Sequence, residues 1–247
     1  MFSFDGKSVT DPEFGVVPGT VRTVFPLLPG VRDGLIEIPG MDGAYDMGAD
    51  REPLRFTVYF LIRRDTPGEM LQSARSVAAW LNVREPRQFI RNQEPDKFYM
   101  ARLQGTAGMD RILASGGYCS VPFIAPDPYA YAVTAKTVTF PLEPGVKAVN
   151  AGSTACPCTI TCTLDDDVDF LKITIAETGE FIHLNRALSA GDEILIDTGQ
   201  RFVSVNGADA RADVTYISTY FSLPPGDFTL AALPDIPLTV TFRERWA

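Results

Sequence analysis

The chain has 247 residues, 45% of them hydrophobic and 21% charged, a balance that excludes wholesale disorder and a long coiled coil and leaves room for one large domain or two smaller ones. Its 20 glycines and 19 prolines favour turns over helices. The net charge of −9 is unevenly spread, with 14 Lys and Arg against 15 Asp and Glu in residues 1–125 and 8 against 16 in residues 126–247, so a basic face for nucleic acid is excluded.

The first 60 residues read as short extended pieces punctuated by Gly and Pro. Phe2 and Phe4 alternate with polar residues before a turn at Asp5 and Gly6, and Leu35, Ile36 and Ile38 form a short apolar run closed by Pro39 and Gly40. From Pro39 to Pro53 the segment is rich in Gly and Asp with little to bury, which predicts an exposed loop; loops of that length in compact domains are usually functional or disordered. Leu54 to Ile62 alternates with apolar residues on both sides, as a strand covered on both faces does.

The one predicted helix spans about residues 66–82. Thr66 supplies an N-cap hydroxyl, Pro67 suits the first helical position, and Glu69 completes a capping box. Met70, Leu71, Ala74, Val77, Ala78 and Leu81 recur at helical spacing and predict one apolar stripe that covers a sheet, so Leu71→Asp is expected to break the domain. Trp80, beside that stripe, is expected in the core with its indole N–H at the rim.

Further strands are expected around Gln88 to Ile90, Phe98 to Leu103 and Gly117 to Phe123, and the prolines of Ala125-Pro126-Asp127-Pro128 mark an extended joint. The domain boundary is placed there, giving residues 1–125 and 126–247. Beyond it no helical period appears. Cys156, Cys158, Ile160, Cys162 and Leu164 point one way and Thr159, Thr161 and Thr163 the other. Similar alternation recurs at Leu171 to Ile175, Ile194 and Ile196, Val203 and Val205, Val214 and Tyr216, and Leu238 to Phe242. With a hairpin signal at Asn206-Gly207 and a weaker one at Gly191-Asp192, this pattern predicts an antiparallel β-sandwich.

Little in the chain suggests catalysis. His183 is the sole histidine, and the chain contains neither a G-x-S-x-G elbow nor a glycine-rich phosphate loop. Cys156, Cys158 and Cys162 lie at i, i+2 and i+6 of one strand, ~20 Å end to end at ~3.3 Å per residue, too far apart to share one zinc ion with His183. With Cys119 they read as reduced thiols, since four cysteines without a CxxC pair make no disulfide framework in a chain this long. Asp165, Asp166, Asp167 and Asp169 lack EF-hand spacing and read as a solvated acidic turn. Trp246, near the C-terminus, suits either a partner anchor or packing on the sandwich. No apolar run approaches the ~20 residues of a membrane span. No cofactor, metal or membrane is expected, and the protein is read as no enzyme.

Taken in order, FDGKS at Phe4 to Ser8, Phe14-Gly15-Val16, Ile38 to Gly43 with Tyr45, the Phe56 to Leu61 strand, Ala79-Trp80-Leu81, Pro95 to Tyr99 and Asp127 to Tyr131 resemble the distal tail proteins of long, flexible-tailed bacteriophages. The second half is similar through Asn150-Ala151-Gly152, Thr178-Gly179-Glu180 and Gly191 to Asp197. The resemblance implies a mainly β chain of two domains. The first is a β-sandwich or split-barrel-like domain with one helix, six copies of which form a ring continuing the tail tube; the second is galectin-like. It also implies a non-catalytic hub in the virion tail tip, with the tail tube protein, tail-tip proteins and receptor-binding proteins as partners. Galectins carry His-x-Asn-x-Arg, and His183, Asn185 and Arg186 match it with the arginine one place early, which makes them the sugar-binding candidates.

On this reading the near-neutral half forms the ring contacts, and the segment Gly40 to Glu52 reaches a neighbouring subunit, with Met41, Asp42, Tyr45, Met47, Asp50 and Arg51 as interface candidates. Two rival readings stand beside it: a monomeric or dimeric carbohydrate-binding module using the second domain, and a hydrolase with a cleft between the domains, which the lone His183 argues against.

Overall fold

The computed structural model describes residues 1–142 and 147–247. The chain is mainly β, and its contacts divide it into Met1–Ala130 and Tyr131–Trp246.

In the first unit the strands are β1 (Phe2–Phe4), β2 (Lys7–Ser8), β3 (Arg22–Val24), β4 (Val31–Ile36), β5 (Tyr45–Arg51), β6 (Leu54–Arg63), β7 (Arg87–Arg91), β8 (Glu94–Leu103), β9 (Gly108–Leu113) and β10 (Gly116–Ala125), with the helix α1 (Pro67–Leu81) between β6 and β7. An antiparallel sheet runs β2-β1-β7-β8-β10-β6-β3, and β9 pairs with the end of β10 that β8 does not reach. The Asp5-Gly6 turn closes β1 onto β2 because both residues take positive φ, 48° and 78°, which glycine adopts freely and aspartate tolerates.

The core is aromatic. Phe2, Phe4, Phe56, Phe89 and Phe123 form one connected cluster, with Phe89 and Phe123 5.3 Å apart and Phe56 and Phe123 stacked at 5.4 Å. Trp80 stacks on Phe14 at 4.6 Å and donates its indole N–H to the Phe4 carbonyl at 2.9 Å, so its polar edge is satisfied where the aromatic body is buried.

Helix α1 begins as expected: Glu69 N–H donates to Thr66 Oγ1 and Thr66 N–H to Glu69 Oε2, each at 3.3 Å. Its buried face differs from the predicted stripe. Met70, Ser73, Val77 and Leu81 are inside, whereas Leu71 is 42% exposed and Ala78 is exposed. The helix is rolled toward Ser73 because Arg64 holds that residue: its Nε donates to Ser73 Oγ at 2.8 Å, its Nη2 to the Glu13 carbonyl at 2.8 Å, and Ser73 Oγ itself donates to that carbonyl at 3.1 Å. Leu71→Asp therefore falls on the outer face, and the expectation that it breaks the domain is withdrawn.

Two other expectations change. Strand β6 buries one face, Leu54 through Ile62 in alternation, while Thr57, Tyr59 and Leu61 on the other face remain half-exposed. The predicted Pro39 to Pro53 loop is half strand, since β5 pairs antiparallel with β4 from Val31↔Arg51 to Ile36↔Tyr45.

The second unit is a β-sandwich. One sheet runs in the order Lys136–Phe140, Leu238–Phe242, Cys158–Thr163, Glu193–Asp197, Phe202–Val205, Ala208–Asp209, and a three-stranded sheet runs Phe181–Leu184, Leu171–Ile175, Leu230–Leu233. Ile160, Ile173, Ile182, Ile196, Val203 and Val240 fill the space between them. The alternation read in Cys156 to Leu164 holds: the three cysteines, Ile160 and Leu164 are buried while the threonines lie outward. Asn206 and Gly207, with φ of 51° and 76°, make the tight turn between the last two strands of the larger sheet. Val214 and Tyr216 are not a strand. Val214 makes a single bridge to Leu184, and the turn closed by Ser218 N–H to the Thr215 carbonyl leaves Tyr216 98% exposed.

Candidate functional site

The β4–β5 hairpin is exposed along its whole length. Glu52 N–H donates to the Gly30 carbonyl at 2.8 Å and closes its base, where the Arg51 guanidinium also lies over the Tyr129 ring at 5.7 Å. At the far end Gly40 and Gly43 take φ of 85°, and Met41 N–H donates to the Ile38 carbonyl. A β5 bulge at Met47-Gly48 faces Gly34, where the strands approach closely, since a Cβ on Gly34 would stand 3.0 Å from the Gly48 carbonyl oxygen.

The pairing register sorts the side chains. Cross-strand partners share a face, and alternation along β4 is unbroken, so Val31, Asp33 and Leu35 lie on one side of the ribbon with their partners Arg51, Ala49 and Asp46. Arg32, Ile36, Tyr45 and Asp50 lie on the other, with Met47 and Gly48 at the bulge; Arg32 Nη2 meets Asp50 Oδ2 at 3.0 Å, and Asp46 Oδ1 accepts from Gly48 N–H at 2.8 Å. Of the six interface candidates, Tyr45 and Asp50 thus share one face, Arg51 is on the opposite one, Met47 is at the bulge, and Met41 and Asp42 sit at the tip. These apolar side chains cover nothing within their own unit: Tyr45 is 55% exposed and Met47 69%, and Leu27, just before the hairpin, is 98% exposed. An isolated two-stranded ribbon gains little stability from its own pairing, so one with this many exposed apolar side chains has the makings of a contact surface. Leu27, Leu28 and Val31 were missed in the sequence because they sit among prolines and glycines. The period-two pattern of Tyr45, Met47, Ala49 and Arg51 was the available signal for β5.

A second feature of the same unit is an apolar groove of about 480 Å3 between α1 and β9. Ala74, Val77, Ala78 and Leu81 form one wall, Leu103 and Met109 the other, and Phe60, Cys119 and Val121 are among the residues lining the rest. Gly117 makes room for Met109, whose Sδ would stand 2.9 Å from any Cβ at that position. Burial pushes the Cys119 thiol up to about 11, so it stays protonated at neutral pH and unreactive.

In the second unit the candidate trio lies on and just after the Phe181–Leu184 strand. His183 is half-buried on the Phe181–Leu184 strand, its ring edge-on to Phe170 at 5.3 Å, and its Nε2 has no partner among the described residues. Asn185 is exposed and donates its backbone N–H to the Asp213 carbonyl, and Arg186 Nη1 is engaged with Asp213 Oδ2 at 3.2 Å. In the acidic turn, Asp167 Oδ1 accepts from Ala190 N–H at 2.8 Å. Among the described residues no group of three or more His, Cys, Asp or Glu side chains is placed to hold a metal ion, and no helix is long and apolar enough to cross a membrane.

Residues 10–125 match the family model of the phage tail protein RIFT-related domain, and residues 151–246 match that of the siphovirus-type tail component, C-terminal domain. Among solved structures the chain is similar to SPP1 Dit, described as a paradigm of the hub adsorption apparatus in phages infecting Gram-positive hosts. The match has a TM-score of 0.82 at 17% identity, covering 100% of this chain and 98% of that one, and at that identity it speaks for the fold alone. A chain of the phage P2 baseplate in its activated conformation with Ca matches at a TM-score of 0.44 and 9% identity, and one of the corresponding Sr structure at 0.46 and 9%. Each match covers 92% of this chain and 91% of that one. No curated protein matches the chain.

Proposed function

The chain belongs to the siphophage distal tail proteins, structural components of the tail and its baseplate hub, and from that premise we propose that six copies of its first unit close into a ring joining the tail tube to the tail-tip apparatus. The second unit is free in this scheme to meet tip or receptor-binding proteins. The observation that carries the reading is the β4–β5 hairpin, whose apolar side chains, among them Ile36, Tyr45 and Met47, are solvated in the single chain and would be buried by a neighbour.

Charge fits the same scheme. The half assigned to the ring holds 14 basic against 15 acidic residues, so copies packed side by side repel one another weakly, while the acidic excess stays in residues 126–247. The role is mechanical, docking and relaying attachment to the host, with no reaction at any step.

Negative-stain microscopy of the purified protein and of assembled tails tests this directly: rings of six with a central hole are the expected outcome. A variant with residues 41–50 replaced by a short Gly-Ser linker is expected to lose the ring while keeping its fold. Rings formed as readily by that variant would remove the hairpin from the proposal.

A further inference from the structure

In a cyclic ring each subunit presents two different surfaces, one projecting and one receiving, and the two must fit each other. The first unit carries a candidate for each. The projecting surface is the hairpin face that carries Ile36 and Tyr45, with Met47 at the adjoining bulge, all three exposed. Among the recesses of this unit, the one between α1 and β9 suits such a face. A second recess, around Glu13, Arg63, Arg64 and Asp65, is lined by polar and charged side chains, and a third, near Phe25 and Arg91, is smaller at about 380 Å3.

The charges match as well. Residues 31–52 hold two arginines against six carboxylates. The groove lining contains no carboxylate, and exposed arginines stand at its borders. Arg75 lies one turn before Ala78 on the same side of α1, and Arg111 lies two residues beyond Met109 on the same side of β9. Ile112 and Leu113 extend the apolar border, 63% and 58% exposed.

We infer that the groove between α1 and β9 receives the hairpin of a neighbouring copy, with Tyr45 and Met47 seated over Ala78 and Met109 and the carboxylates near the tip meeting Arg75 and Arg111. The inference rests on the ring proposed above and adds to it a defined partner surface.

Charge exchange in the full chain tests it. Arg75→Glu with Arg111→Glu, and separately Glu37→Arg with Asp42→Arg, are each expected to abolish rings without loss of fold. All four substitutions in one chain are expected to restore them. A photoreactive residue at position 47 is expected to crosslink to residues 74–82 or 103–113 of another copy. Rings that persist in both double variants, or crosslinks in wild-type rings that map elsewhere, overturn this docking while leaving the ring intact. A wild-type chain that never associates, alone or in tails, overturns both.

Discussion

The two units divide their apolar residues differently. Among the described residues, fourteen of the nineteen exposed large apolar side chains belong to the first unit, which makes it the one with surface left to bury. Its core is built from phenylalanines on β1, β6, β7 and β10. The second unit packs mostly Ile, Leu, Val and Cys between two sheets, and it carries most of the negative charge on its surface. The lesson is that a near-neutral unit with much exposed apolar surface and a self-contained, acidic one lie in a single chain, the difference on which the proposed ring rests.

The largest expected effect breaks one unit and spares the other. Phe123 touches Phe2, Phe4, Phe56 and Phe89, so Phe123→Ala should cost the first unit about 3–5 kcal/mol and remove its calorimetric transition, leaving that of the second unit in place. The mirror experiment is Asn150→Ala. The Asn150 amide donates to the Leu223 and Pro224 carbonyls and its oxygen accepts Gly152 N–H, all within a buried site of the second unit, so its loss should cost about 2–3 kcal/mol there and nothing in the first unit.

A pH titration sharpens the contrast. Burial pushes the thiols up to about 11 for Cys156 and Cys162 and about 12 for Cys158, against one such thiol, Cys119, in the first unit. A raised folded value means that the folded state holds its protons longer. The stabilisation is therefore complete below about pH 9 and is lost as pH climbs toward 11 and 12, so the second unit should lose melting temperature faster over that window. Melting curves at pH 8, 9.5 and 11 check it, and parallel loss in both units would count against burial as the cause.

The smallest effects on folding are expected where the apolar residues face out. Leu71→Asp and Met47→Asp should each change unfolding free energy by less than about 0.5 kcal/mol in a denaturant titration. Met47→Asp should nonetheless abolish rings. A large destabilisation by Leu71→Asp would mean that α1 buries that face after all.

Much of this was legible in local sequence. Thr66, Pro67 and Glu69 fixed the start of α1 because capping depends only on residues three apart. The alternation from Cys156 to Leu164 named the buried face of its strand, and Asn206-Gly207 named a turn. Other features lay out of reach. The roll of α1 is set by Arg64 binding Ser73 and the Glu13 carbonyl, contacts 9 and 51 residues apart in the chain. For β5, the pairing partner lies across a turn whose glycines and aspartates mimic a loop. The candidate interface was only half visible: Met47 and Tyr45 stood out as apolar residues in a polar stretch, whereas the α1–β9 groove is assembled from β6, α1, β8, β9 and β10.

By itself the sequence determined the β-rich class, the single helix and its cap, the alternating strands of the second unit, and the segregation of charge between the halves, because each depends on neighbours a few residues away or on composition. Only the tertiary structure decided which side of α1 is buried, that the Gly- and Asp-rich segment is a solvated, bulged ribbon with exposed apolar side chains, and that a groove lies between α1 and β9. Those are outcomes of long-range packing, in which a residue's exposure is set by what the rest of the chain brings against it.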